Sequence, residues 1–325
     1  MKAISLFSGG LDSQLAVALI QKQGIEVTGV NFITPFFALK PYVSEAAAAL
    51  KIDLITEDIS EEYRDKVLLK PVYGYGQHMN PCIDCHAFML KNARRVMDEI
   101  GASFLITGEV LGQRPMSQNR SALKAVDSLS GQAGLIVRPL SALLMEPTIP
   151  ETQGWIDRSQ LLDISGRSRK RQMELAEETG INEYPSPAGG CLLTDENYSR
   201  RLKYILTVKP DAGTDDFRIL SWGRHFIIND ALLIIGRNQK ENRLIMEGAR
   251  PGDLLLVVPD FPGPTALLKG GEGNYDLEYA ARIVARYGDG KNQPEVMVKI
   301  FKADGEILQI IPVIPFKPEE IPATL

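Results

Sequence analysis

The chain has 325 residues, 44% hydrophobic and 24% charged, with a formal net charge of −5 and three cysteines. That length exceeds one ordinary core and suits two domains of soluble composition. No run approaches the roughly 20 apolar residues of a membrane span, the start MKAISLFSGGLDS lacks a secretory pattern, and three thiols cannot build a four-cysteine zinc site; a cytoplasmic protein without structural disulfides is expected.

Ala3 to Phe7 reads as a buried strand and Gln14 to Gln23 as a helix stopped by Gly24, with SGGLDS as the turn between them. Glu26 to Ile33 is a second predicted strand, Ser44 caps an alanine-rich helix, and Asp53 to Thr56 is a third strand. In the segment Cys85 to Ile100, Phe88, Val96 and Ile100 share one helical stripe; Ser103 to Thr107 and Leu135 to Val137 follow as strands. This alternation predicts an α/β fold with a doubly wound, mostly parallel sheet and ligands at the carboxyl ends of its strands. The turns SGGLDS and TGEVLGQ should therefore meet at one crevice, with the polar stretch Gly112 to Gly134 as a mobile lid.

After Thr194 the pattern changes, and KPDAGTDD (Lys209 to Asp216) reads as a linker between domains 1–208 and 215–316. Phe217 to Trp222, His225 to Ile228, Leu232 to Gly236, Leu254 to Val258, Glu295 to Lys302 and Glu306 to Ile311 are predicted strands. Asp276 to Tyr287 is a predicted helix, and Asp304-Gly305 closes a hairpin. The second domain is thus a smaller α+β unit.

SGGLDS, at a helix N-terminus, has the composition of a phosphate cradle: unpaired N–H groups, two glycines for close approach, and two hydroxyl donors. It is neither a Walker A loop nor a dinucleotide fingerprint. NPCIDCH, Asn80 to His86, could be a haem site, a zinc half-site, a redox pair or part of an iron–sulfur ligand set; without an export signal the haem reading falls away. GRSRKRQ (Gly166 to Gln172) and YSRRLKY (Tyr198 to Tyr204) are locally basic in an acidic chain, which is what a phosphate backbone senses.

SGGLDS resembles the PP-loop of ATP pyrophosphatases, which cleave ATP between the α and β phosphates. TGEVLGQRPMSQ (Thr107 to Gln118) and Arg138-Pro139-Leu140 are similar to stretches of tRNA 4-thiouridine synthetases, and NPC is similar to a segment of tRNA 2-thiouridylases, over about Met1 to Thr194. DDFRILSWGRHFIIND, IIGRNQKEN and FPGPTALL resemble the RNA-binding domain of NFACT proteins over about Asp215 to Pro315. The resemblance implies an adenine nucleotide alpha hydrolase-like fold and a tRNA sulfurtransferase that adenylates a uridine carbonyl with ATP and Mg²⁺, with 4-thiouridine favoured over 2-thiouridine. It implies nucleotide contacts from Ser8, Gly9, Gly10, Asp12, Ser13, Phe32, Gly108 and Gln113, with Asp12 also organising Mg²⁺. Cys82, Cys85 and Cys191 are then catalytic and metal-ligating, as anchors of a 4Fe-4S cluster with one iron free for hydrosulfide; a persulfide or disulfide relay, zinc, and inert thiols are the other readings. His86 is expected as a packing or hydrogen-bonding residue.

Arg114, Arg167, Arg169, Lys170 and Arg171 are the candidate contacts to tRNA, and a homodimer is the candidate assembly. Two departures stand out. The synthetases carry RNA-binding domains ahead of the loop, which here starts at Ser8, and SALLMEPTIPE replaces their acidic, lysine-containing helix start. The rival readings are an ATP pyrophosphatase that transfers nitrogen and a nucleotide-sensing RNA-binding adaptor.

Overall fold

Residues 1–186, 191–270 and 276–325 are described by the structure, a computed structural model, in which the chain divides into Met1–Thr194 and Asp195–Leu325. This boundary lies ahead of the expected one. Helix α8 (Glu196–Val208) falls in the second unit, where its Tyr198 hydroxyl donates to the Phe217 carbonyl at 2.8 Å.

In the first unit β1 (Lys2–Leu6), β2 (Glu26–Ile33), β3 (Asp53–Asp58), β4 (Phe104–Thr107) and β5 (Ile136–Val137) form a parallel sheet in the order β3-β2-β1-β4-β5. Both faces of β1 and β4 are covered, so the side chains on either side of these strands are buried, Ser5 and Thr107 among them. On one face, Ala3, Val27, Phe104 and Ile106 pack with Val17 and Ile20 of α1 (Leu11–Gln21) and Val43 and Ala46 of α2 (Pro41–Ala49). The alternate residues Ile4 and Leu105 are equally buried. After the short α3 (Ser60–Tyr63), α4 (Cys82–Glu99) packs on β1 and β4, and α5 (Arg120–Ser130) packs on α4. Beyond the single turn α6 (Ile149–Thr152), α7 (Lys170–Thr179) sets Leu175 and Ala176 against Leu11 and Leu15 of α1.

Two expectations need correction here. Ser44 is not a cap: Pro41 starts α2, where its missing N–H costs nothing. The supposed lid contains α5, whose Asn119 side chain caps Ala122 N–H at 2.9 Å and whose Leu123 and Val126 are buried. Its polar average conceals one apolar stripe.

The second unit is a six-stranded antiparallel sheet, ordered β11-β10-β8-β9-β7-β6. Its strands are β6 (Arg224–Ile228), β7 (Ala231–Ile235), β8 (Leu254–Val257), β9 (Ala266–Gly270), β10 (Val296–Lys302) and β11 (Ile307–Val313). Alternate residues such as Leu233, Leu256, Leu268 and Val298 bury one face against Ala280, Ala281 and Val284 of α11 (Leu277–Arg286). The segment expected as a strand at Phe217 is instead helix α9 (Thr214–Ile219), begun where Asp216 accepts from Gly213 N–H at 2.9 Å. Helix α10 (Gln239–Gly248) and β9 carry no expectation from the sequence. Among the described residues, no helix is long and apolar enough to cross a membrane.

Candidate active site

Strand order reverses at β1: β2 lies on one side and β4 on the other. Such a reversal opens a crevice at the carboxyl ends of the strands, and the turns after β1 and β4 do meet there. Gly108 is the point of contact. A Cβ on it would lie 2.5 Å from Ser13 N and 2.7 Å from Asp12 O, so only glycine lets the second turn rest on the first. From that turn, Gln113 Nε2 donates to Asp12 Oδ2 at 2.8 Å. Phe32, at the end of β2, is buried.

The loop itself is held from within. Gly9 has φ +68, and a Cβ there would come 2.8 Å from Val43 Cα; packing against α2 demands this glycine, as well as any ligand. Gly10 caps α1 in an extended conformation with no side-chain cap, leaving the first-turn N–H groups to an anion. Ser13 Oγ donates to Gly10 O at 2.9 Å, and Ser8 Oγ lies 3.3 Å from it. Buried Gln14 reaches back to Gly9 O at 2.8 Å and to Glu183 O at 3.1 Å. One oxygen stands out: Asp12 Oδ1 is buried and has no hydrogen-bond partner among the described residues. A hard, unpartnered carboxylate oxygen beside a phosphate cradle is a donor that fits Mg²⁺.

Cys82 and Cys85 open helix α4 and are not in the loop before it. Asn80 Nδ2 donates to Cys82 Sγ at 3.3 Å, and Asp84 holds the preceding loop through Val72 N–H at 2.6 Å and Tyr73 N–H at 3.1 Å. Cys191 is brought to the same place from far along the chain, with the neighbouring Leu192 N–H donating to Phe36 O at 3.1 Å. Burial pushes the Cys85 thiol up; the Tyr63 hydroxyl opposes this by hydrogen bonding, and the nearby Cys191 and Cys82 add to it. Burial, with a contribution from Cys82, pushes Cys191 up to about 11. The three free thiols thus lie within electrostatic reach of one another, beside the aromatic group of Phe36, Phe37, Tyr63 and Phe88. Their softness fits an iron–sulfur cluster, although among the described residues no group of three or more His, Cys, Asp or Glu stands arranged to hold a metal ion. The PAGG segment before Cys191 lies outside the described residues.

A largely buried network joins His86, the neighbour of Cys85 on α4, to the turn after β4, and the sequence reading missed it. His86, next to Cys85, has Nδ1 2.7 Å from Glu109 Oε1. Glu109 Oε2 accepts from Arg138 Nε at 2.9 Å and from Thr107 Oγ1 at 3.1 Å, and Arg138 reaches Asp127 of α5 at 2.7 Å. Burial alone would raise Glu109, but Arg138 and His86 outweigh it and hold the carboxyl down to about 2. Being ionised, Glu109 can only accept, so His86 carries its proton on Nδ1.

The candidate RNA contacts are dispersed. Arg114, Arg167 and Lys170 are exposed, Arg171 pairs with Glu178 at 3.0 Å and Glu174 at 3.4 Å, and Arg169 is half-buried with Nε lacking a partner among the described residues.

The model of the Thiamine biosynthesis protein (ThiI) family matches residues 1–149, and that of the NFACT protein RNA binding domain matches residues 223–324. A probable tRNA sulfurtransferase of Methanosarcina acetivorans is 28% identical over 63% of this chain and 44% of its own. The tRNA-specific 2-thiouridylase MnmA of Petrotoga mobilis is 25% identical over 62% of this chain and 58% of its own. A crystal structure of a 4-thiouridine synthetase–RNA complex with bound ATP overlaps 55% of this chain and 51% of its own at 21% identity, with a TM-score of 0.37. The chain spans between 29% and 58% of the length of curated relatives of this kind. In its first unit, then, the chain resembles the PP-loop tRNA thiolation enzymes, and in its second the NFACT RNA-binding domain.

Proposed function

We propose that this chain is a cytoplasmic, ATP-dependent tRNA uridine sulfurtransferase, acting at C4 in preference to C2. What carries the reading is one juxtaposition: a phosphate cradle and a cluster of three thiols, joined by the His86–Glu109 contact next to Cys85. Rival readings leave that cluster without work.

The first-turn N–H groups of α1 and the hydroxyls of Ser8 and Ser13 bind the ATP phosphates, and Asp12 Oδ1 would hold Mg²⁺. The uridine carbonyl oxygen attacks the α-phosphorus and pyrophosphate leaves. Hydrosulfide then adds at the activated carbon, and AMP departs carrying the former carbonyl oxygen. A 4Fe-4S cluster on Cys82, Cys85 and Cys191 would supply an iron that binds the hydrosulfide. Arg114, Arg167, Arg169, Lys170 and Arg171, with the second unit, bind tRNA phosphates.

Chain purified without oxygen is expected to be brown, with roughly four iron and four sulfide per chain, and to form thiouridine in unmodified tRNA when given Mg·ATP and sulfide. Nucleoside mass spectrometry and iron analysis read both. Thiouridine from iron-free protein given sulfide would remove the cluster from the account, and thiouridine formed only when a persulfide donor replaces sulfide would put a persulfide relay in its place; no thiouridine under any of these conditions would favour the nitrogen-transfer or adaptor readings.

A further inference from the structure

Gln172 lies on α7, which packs on α1, and is completely buried. Its Nε2 donates to Gln113 Oε1 at 3.2 Å, and Gln113 Nε2 in turn donates to Asp12 Oδ2 at 2.8 Å. We propose that Gln172 is a positioning residue for Asp12: through Gln113 it fixes the carboxylate so that Oδ1 alone faces the metal of Mg·ATP. The proposal deepens the functional reading above and rests on it.

The direction of this relay is forced by chemistry. An ionised carboxylate only accepts, so Gln113 must offer Asp12 its amide nitrogen. Its carbonyl then faces Gln172, which must donate. Gln113 is itself half-exposed and would be free to turn without that anchor, whereas Gln172 is held because neighbouring Leu175 and Ala176 pack against Leu11 and Leu15 of α1. Two further atoms mark the first turn of α7 as the wall of a polar site. Gln172 Oε1 and the Nε of Arg169, the residue that caps α7, are buried without partners among the described residues. A core position would not ordinarily retain either.

Gln172→Met keeps the volume and removes the donor; Gln172→Glu sets an acceptor against the Gln113 carbonyl and draws the Gln113 amide away from Asp12. The test is equilibrium binding of ATP to the full chain as a function of Mg²⁺, by calorimetry. The Mg²⁺ needed for half-maximal ATP binding is expected to rise about tenfold in Gln172→Glu and about threefold in Gln172→Met, a loss of up to one tenfold step in affinity. In a Gln113→Ala background the Gln172→Met substitution should have no further effect, the non-additivity expected of residues acting through one contact. Wild-type Mg²⁺ dependence in Gln172→Met, or an effect that adds to Gln113→Ala, would overturn the proposal. Asp12→Ala serves as the separate control: if it too binds Mg·ATP like wild type, the functional reading fails along with the inference; if it does not, only the relay is at stake.

Discussion

Asp12→Ala is expected to lower tRNA-dependent pyrophosphate release by about a thousandfold or more, the scale of losing one charged group that acts on the transferring phosphoryl, with the fold intact. The side chain is placed to matter in this way. It lies in the first turn of α1, its Oδ2 is already bonded to Gln113, and its Oδ1 is buried without a partner among the described residues. Removing the carboxylate should therefore cost little stability, because a buried unpartnered oxygen is itself unfavourable. Asp12→Asn keeps the shape and loses the charge, so it should be nearly as inactive as alanine. A coupled pyrophosphate assay with and without tRNA, alongside thermal melts, separates catalysis from folding; turnover within tenfold of wild type in either variant would contradict the assignment.

The largest expected effect on stability lies at Arg138. Replacing it with leucine strands the buried Glu109 and should destabilise the first unit by about 3–5 kcal/mol, the usual cost of breaking a buried pair from one side. The pH dependence tests the cause. In the wild-type chain Glu109 is held down to about 2 against an ordinary value of 4.5. Its contribution, roughly 3 kcal/mol, is fully present above pH 4.5 and is lost as pH falls through its folded value near 2. Without Arg138, burial is the largest influence left on Glu109, opposed by His86, and the carboxyl is expected to rise above its unfolded value, so the variant should gain relative stability as pH drops from 7 towards 4.5. Urea denaturation at the two pH values should show the gap between Arg138→Leu and wild type narrowing on acidification. A gap that stays constant would mean the arginine acts by packing alone.

Local signals carried most of what the sequence disclosed. SGGLDS between an apolar run and a helix, and Asp304-Gly305 between two strands, are short-range patterns, and β1, α1, β10 and β11 appear where they were expected. The meeting of the two turns was also legible, since a parallel α/β sheet brings successive strand ends to one edge. Long-range pairings were not. Glu109 and Arg138 are 29 residues apart, Gln113 and Gln172 are 59 apart, and each residue alone is unremarkable in type. Gly9 suggested only a ligand, whereas its neighbour Val43 supplies half of the reason. The helix at Thr214–Ile219 was hidden because its apolar residues are few and its start depends on one carboxylate reaching Gly213. For the thiols, sequence offered candidates and the fold supplied the gathering of Cys191 with the CxxC pair.

The central claim is that a uridine carbonyl oxygen is the group activated by ATP at this site and then exchanged for sulfur. Its most direct test is mass spectrometry of the AMP released when the chain acts on tRNA whose target uridine carries oxygen-18 at the C4 carbonyl, in the presence of Mg·ATP and sulfide. The account predicts one heavy oxygen in each AMP formed, matched by one sulfur gained in the nucleoside. AMP without the heavy oxygen, with the label still in the RNA, would contradict it.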